Sequence, residues 1–264
     1  LSRWIGPEDG ELWRQASYRF HALVAKQWRQ GRVFLAGDAA HMQPPFLGQG
    51  MCQGIRDVSN LAWKLAAVLQ GEVKGAAAQG LLDSYGIERQ GHVRELTSRI
   101  KAVGAVICER DPAKARQRDA RLLQECDGTV KDTPRQDILP ALGQGLLSSI
   151  SSSARGQLFP QPLLIDEAGV SRRMDRLAGS GWRLVLDPNC RGETSIRGMT
   201  TILLKDDDDP EGVATGWFRR NECCAALVRP DNYVYGVART AADVVQLCAE
   251  ALRALGHGEA GRFA

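Results

Sequence analysis

Apolar residues recur at helical spacing through the first part of this chain and alternate or run together in the last part. Leu81, Leu82, Tyr85, Val93, Leu96, Ile100 and Val103 predict a helix over roughly 77–110. An earlier helix is predicted from about 50 to 70, ending near Gly71, with Leu61, Trp63, Leu65 and Val68 as core positions. Ahead of it, the alternation in Tyr18-Arg-Phe-His-Ala-Leu-Val24 predicts a strand. Residues 32 to 38 are apolar on both faces, as expected of a central parallel strand with neighbours on either side.

Between 110 and 155 the sequence becomes charged, then small and polar, closing on Ser148-Ser-Ile-Ser-Ser-Ser153. That change predicts a surface helix followed by an extended connection. A second unit is expected from about 156, with strands at 182–186, 200–204, 225–229 and 233–237 and a closing helix over 240–255. Thr240-Ala-Ala-Asp243 resembles a capping box with Asp at the third helical position. The expected organisation is therefore 1–110, 111–155 and 156–264.

Composition adds exclusions. With 264 residues the chain is long enough to bury a core. A net charge of +3 with scattered signs gives no address for nucleic acid or membrane. Seven cysteines without framework spacing read as reduced thiols, and the expected location is the cytoplasm. No Cys/His spacing resembles a zinc site, so no metal is expected. The acidic run from Asp206 to Asp209, before Pro210, reads as a solvated turn. Cys223 and Cys224 are adjacent and cannot reproduce a Cys-x-x-Cys redox motif.

The densest chemistry lies at Gly37-Asp38-Ala-Ala-His41, Pro44-Pro45, Gly48-Gln-Gly-Met51 and Gly54-Ile-Arg-Asp57. Glycines at 48 and 50 let backbone approach a ligand closely, and a helix start offers unpaired N–H groups at a positive dipole end. Asp38, at the carboxyl end of a strand, stands where open α/β sheets place acceptors for sugar hydroxyls. This design suits an electron-rich, partly anionic ligand.

With Asn60-Leu-Ala-Trp-Lys-Leu65, these residues resemble the second flavin-binding motif of the aromatic-ring hydroxylases, FAD-dependent monooxygenases similar to para-hydroxybenzoate hydroxylase and, within them, to 3-(3-hydroxyphenyl)propionate hydroxylase. The likeness continues through Leu81-Leu-Asp-Ser-Tyr85 and Glu88-Arg89, and resumes at Gln157–Pro162 and Leu227–Val234. It implies an α/β chain: the C-terminal part of an FAD-binding Rossmann-like domain, its last strand plus helices, followed by a thioredoxin-like α/β domain. No Gly-x-Gly-x-x-Gly turn occurs in these residues, and the chain opens on Leu1. It is accordingly read as the C-terminal half of a larger enzyme, with the ADP-binding turn, the remaining sheet and the catalytic residues expected upstream.

The resemblance assigns Asp38 to the ribityl chain of FAD and Gly37 to its turn. It sets the backbone N–H groups of Gly50, Met51 and Cys52, with Gly48 and Gln49, against the N1–C2 edge of the isoalloxazine. Cys52 stands where the wider family commonly has asparagine. Pro45 is expected beside the reactive flavin edge, and Pro45 with Phe46 near the substrate, although Phe46 serves a core role equally well. His41 is expected to orient the loop, Arg56 and Asp57 to make structural contacts, and Tyr85, Glu88 and Arg89 to pack helix against domain. The implied partners are NADH or NADPH, dioxygen and a small phenolic substrate, and the resemblance allows a homodimer. The alternative is a non-catalytic unit whose thioredoxin-like part serves association, with an incomplete flavin site. Either way this chain by itself is expected to hold FAD weakly and to lack turnover.

Overall fold

The structure, a computed structural model, describes residues 3–129, 132–133, 135–166, 168–190, 198–205 and 208–257. Its first strands are short. β1 (Leu23–Val24) pairs antiparallel with β4 (His41–Met42), and β2 (Arg29–Gln30) pairs with β3 (Val33–Phe34) around the positive-φ residue Gly31. The sequence predicted longer elements here. Tyr18 and Phe20 lie outside any strand and are exposed, so alternation alone did not supply a partner for residues 18–22. Of residues 32–38 only Val33–Phe34 is strand, on an antiparallel edge rather than in a parallel centre. A strand apolar on both faces needs neighbours on both sides, and β2 alone pairs with it among the described residues.

Two helices follow, α1 (Gly50–Leu69) and α2 (Gly75–Ile107), which pack against each other. The chain turns between them at Gly71, whose φ of 75° costs glycine nothing. α2 ends three residues before its expected end. The next helix, α3 (Pro112–Glu125), starts with Asp111 accepting from Ala113 N and Lys114 N and with Pro112 in its first turn. α4 (Arg135–Ile138) is a single turn. No helix among the described residues is long and apolar enough to cross a membrane.

β5 (Leu163–Ile165) and β6 (Ser171–Arg173) form a hairpin, and α5 (Met174–Ala178) follows it. The principal sheet then forms from β7 (Arg183–Leu186), β8 (Thr200–Leu203), β9 (Ala225–Val228) and β10 (Val234–Ala238), with α6 (Val213–Arg220) before β9 and α7 (Ala241–Ala254) after β10. The spatial order is β10-β9-β7-β8; β7 and β8 run parallel and the other neighbours antiparallel. That is the topology expected of a thioredoxin-like unit. α7 starts on the expected capping box, Thr240 with Asp243.

The sheet is buried on both faces because its central strands alternate between two cores. Leu184, Leu186, Ala225 and Leu227 face one core, with Ala67 of α1, Ala78 and Leu81 of α2, and Val244, Leu247 and Ala251 of α7. Val185, Ala226 and Val228 face the other, with Phe159, Met174, Trp217 and Phe218. The first core joins the helical part to the sheet, and there the Trp63 and Trp182 rings meet edge to face at 5.8 Å.

The hairpin, α5 and α6 had no counterpart in the sequence reading. β6 is exposed at all three positions, and α5 and α6 are 5 and 8 residues long, too short for a periodic signal. The acidic run also differs from expectation. Asp206 and Asp207 lie outside the described residues, and Asp209 is buried rather than solvated. Its carboxylate accepts from Val213 N, Ala214 N and Thr215 N and caps the start of α6.

Candidate functional site

Two short turns flank the start of α1. Gly37–Ala39 forms one 3-10 turn and Pro45–Leu47 the other. Gly37 has φ 59°, and its Cα faces Gly54 of α1 so closely that a side chain on either glycine would touch the opposite backbone. Gly48 closes the second turn with φ 60°. Open space surrounds the positions where Gly48 and Gly50 would carry side chains. The first helical hydrogen bond of α1 runs from Gln53 N to Gln49 O at 2.9 Å, so the N–H groups of Gly50, Met51 and Cys52 precede it.

Asp38 is exposed in its turn, Pro45 is exposed, Met51 is exposed and Cys52 half-buried. Gln49 is buried, and its Oε1 accepts from Arg56 at 3.2 Å. Phe46 lies against Gly104 of α2, with no room there for a methyl group. The amide of Gln43, between the two turns, has both polar atoms buried and without a partner, and so does Gln53 Nε2.

A carboxylate on α1 holds the first of these turns and the strand that follows it. Asp57 Oδ2 accepts from Gly37 N at 3.0 Å and contacts His41 Nε2 at 2.8 Å, while Oδ1 accepts from Arg89 Nε at 2.9 Å. Arg89 also donates to Gln53 Oε1 at 2.8 Å and to the Tyr233 hydroxyl at 3.2 Å. His41 stacks on Trp28, with ring centroids 5.6 Å apart.

A second buried cluster adjoins it. Glu88 accepts from Lys64 at 2.8 Å, from Asn60 at 2.7 Å, from Leu146 N at 2.8 Å and from Arg229 through both oxygens. Asp231 accepts from Arg229 and Asn60. Burial alone would push the Glu88 carboxyl up, but Arg229 and Lys64 outweigh it and hold the group down at about 2. Lys64 shares that carboxylate with Arg229, so burial prevails there and pushes the ammonium down to about 8. Burial likewise pushes His92 down to about 2.

Much of this connectivity was missed at the level of sequence. Glu88 and Arg89 join α2 to the sheet unit, as expected, whereas Tyr85 packs α2 against the N-terminal strands and donates to Leu35 O at 2.7 Å; Asn60, Lys64, Arg229 and Asp231 were not seen as one cluster. A signal existed: Gln53, Asp57, Asn60 and Lys64 are spaced 4, 3 and 4 apart and form the buried face of α1, while Met51, Ile55 and Val58 are exposed. α1 thus buries a polar stripe and leaves Met51, Ile55 and Val58 exposed, while Trp63, Ala67 and Val68 pack against the first core.

The match to known proteins agrees with this geometry. Residues 8–100 match a family described as "FAD binding domain". The chain is 39% identical to a probable NADH-specific resorcinol 4-hydroxylase of Rhodococcus jostii (strain RHA1), over 97% of this chain and 49% of the relative. It is 31% identical to a 3-(3-hydroxy-phenyl)propionate/3-hydroxycinnamic acid hydroxylase of Mycobacterium sp. (strain JLS), over 90% of this chain and 47% of the relative. A crystal structure of aklavinone-11 hydroxylase with FAD and aklavinone superposes with a TM-score of 0.65 at 26% identity, covering 91% of this chain and 46% of that one. The chain spans about half the length of the curated relatives it matches.

Proposed function

We propose that this chain is part of an FAD-dependent aromatic hydroxylase that uses NADH on phenols, and that the start of α1, with the turns at Gly37–Ala39 and Pro45–Leu47, forms the isoalloxazine and ribityl part of its FAD site. The observation that carries the reading is the helix start itself. The N–H groups of Gly50, Met51 and Cys52 precede the first helical bond, beside the open space at Gly48 and Gly50. Such donors favour negative charge at a ring edge. The unpartnered amide of Gln43 adds a donor and an acceptor between the turns. These residues fit the reduced-ring and sugar portions of FAD, while no Gly-x-Gly-x-x-Gly turn in this chain fits the pyrophosphate.

When bound, FAD supplies the redox chemistry, taking electrons from NADH and passing them to dioxygen so that one oxygen atom reaches the aromatic ring. The residues of this chain hold and shape the site. Asp38 accepts from ribityl hydroxyls, and its turn is positioned by Asp57 through Gly37 N. Pro45, exposed at the second turn, frames the substrate side and excludes water from the flavin edge. Phe46 shapes that wall from its seat on Gly104. The names of both curated relatives specify a phenol substituted meta to its hydroxyl. We assign this chain the same substrate class, small meta-substituted phenols, and NADH as donor. A homodimer is the assembly we propose for it.

Complementation tests the reading. The chain is co-expressed with the part of the Rhodococcus jostii relative that it does not match, and the complex is purified. Bound yellow flavin and NADH-dependent conversion of resorcinol are expected, and both should fall with Asp38→Ala. A folded complex free of flavin would refute the assignment.

A further inference from the structure

The ladder between β7 and β9 runs in register Leu186 to Ala225, and it continues one step further. Asp187 N donates to Cys224 O at 2.8 Å, and Cys224 N donates to Ala238 O at 2.9 Å, so the backbone of Cys224 is fixed from both sides. Beyond Asp187 the chain reverses through Pro188 and Asn189, closed by Cys190 N donating to Asp187 O at 2.9 Å. Asp187 Oδ1 stiffens this reversal by accepting from both Asn189 N and its side-chain amide. The turn returns Cys190 against Cys224, with the two sulfurs 3.0 Å apart and both thiols free. Cys223, next in sequence, turns its sulfur instead towards Phe218 O at 4.0 Å.

Access is on one side only. Cys190 is buried in the core under the sheet. Cys224 is half-buried and lines a cleft of about 470 Å³ with Phe218, Thr215 and Arg239. We propose that Cys190 and Cys224 form a reversible thiol–disulfide site, oxidised by a small hydroperoxide entering through this cleft and reduced by a small dithiol.

The chemistry balances. The Cys224 thiolate attacks one oxygen of hydrogen peroxide; the O–O bond breaks, and the departing hydroxide takes a proton to become water. Cys224 is then a sulfenic acid. The Cys190 sulfur attacks it as thiolate, the S–S bond forms, the S–O bond breaks, and the second hydroxide leaves as water. Two thiols give up two protons and two electrons, and one peroxide becomes two waters. A dithiol reverses the bond by exchange. Burial, reinforced by the neighbouring Cys190 sulfur, pushes the Cys224 thiol up to about 12. The reactive thiolate is scarce at neutral pH, so the rate should climb about tenfold per pH unit on the alkaline side. The bond would span 34 positions and tie the end of β7 to the start of β9, enclosing β8 and α6.

The test treats the reduced chain with equimolar hydrogen peroxide at mildly alkaline pH, blocks residual thiols with N-ethylmaleimide, and maps peptides by mass spectrometry. A Cys190–Cys224 cross-linked peptide is expected, with those two thiols lost together and both restored by dithiothreitol. Cys223→Ala should form the bridge at the wild-type rate, and Cys190→Ser should form none. A Cys223–Cys224 bond, or Cys224 oxidised to sulfinic acid while Cys190 is alkylated, would overturn the assignment. So would all seven thiols surviving.

Discussion

The carboxylate of Glu88 meets the guanidinium of Arg229 through both oxygens, at 3.0 and 2.7 Å, across 141 positions of sequence. Both side chains are fully buried, one on α2 and the other just past β9. Removing Glu88 takes the paired carboxylate from Lys64 and one of two from Arg229, leaving positive charge in excess in a low-dielectric interior. Glu88→Ala is therefore expected to cost about 3–5 kcal/mol of folding stability. Arg229→Met paired with Glu88→Leu should cost less than the sum of the two single changes, by urea unfolding, because the pair removes one charge of each sign and leaves Lys64 and Asp231, which attract each other.

The same carboxylate sets an acid response. Glu88 is held at about 2 in the folded chain against an ordinary 4.5. A depressed carboxyl contributes stability that is complete above the unfolded value and is lost as pH falls from 4.5 towards 2. The contribution is about 3 kcal/mol. Unfolding free energies measured across that window should fall more steeply for the native chain than for Glu88→Gln. Parallel slopes would remove Glu88 from the account.

Gly156 allows no side chain. Its φ is 77°, and a Cβ there would sit 2.1 Å from the carbonyl oxygen of Leu142, which is backbone and cannot rotate away. Its own N–H donates to Val234 O and its carbonyl accepts from Leu142 N. Gly156→Ala is expected to lower stability by about 3 kcal/mol or more, read as a reduced thermal midpoint.

Flavin affinity should depend on Asp38. A charge-assisted hydrogen bond to a sugar hydroxyl is worth about 1.5–3 kcal/mol, so Asp38→Ala in the complemented complex should weaken FAD binding at least about tenfold. Asp57→Ala should weaken it too, by releasing the Gly37 amide, and should also destabilise the chain because Arg89 loses its buried partner. Asp38→Ala, on an exposed turn, should leave the thermal midpoint unchanged. Fluorescence titration and a melting curve separate the two variants.

We retain the division at 110 and 155 as our proposal for the organisation of the chain, with one amendment from the shared core. A protease nick between Cys126 and Thr129, after α3, should leave fragments that co-elute under native conditions and separate in denaturant. Spontaneous separation would mean that the core uniting Ala67 and Leu81 with Leu184 and Leu247 is weaker than its burial implies.

Legibility in the sequence followed the source of each signal. β7 and β9 alternate between two cores with apolar residues at almost every position, and they were readable within a residue or two. The capping box at Thr240 was readable because its chemistry is local. The strand at 32–38 was misjudged in length because strand identity depends on partners that a local pattern does not contain. α1 was placed correctly, and Trp63 and Val68 pack against the first core as expected. The polar stripe beside them was not legible: Gln53, Asp57, Asn60 and Lys64 turn inward to meet charges from α2 and the β9–β10 turn. The Gly37–Asp38 and Gly48–Gly50 positions were legible from motif alone, since glycine conformation and a helix start are short-range properties. Asp57 as the residue that holds Gly37 was not, because its partners lie 16, 20 and 32 positions away. The meeting of Cys190 with Cys224 had no sequence signal, being a product of the turn at Pro188.

Asp57, Glu88 and Asp231 face Lys64, Arg89 and Arg229, three negative charges against three positive ones, all removed from solvent. Mobile ions screen charges only where they can approach them. The attachment of α1 and α2 to the sheet unit should therefore respond little to ionic strength. The exposed pairs, such as Arg99 with Glu95, fade as salt is added. The same polypeptide thus holds two populations of ion pairs that answer differently to its medium, and the population that carries the Gly37 turn is the one the medium does not reach.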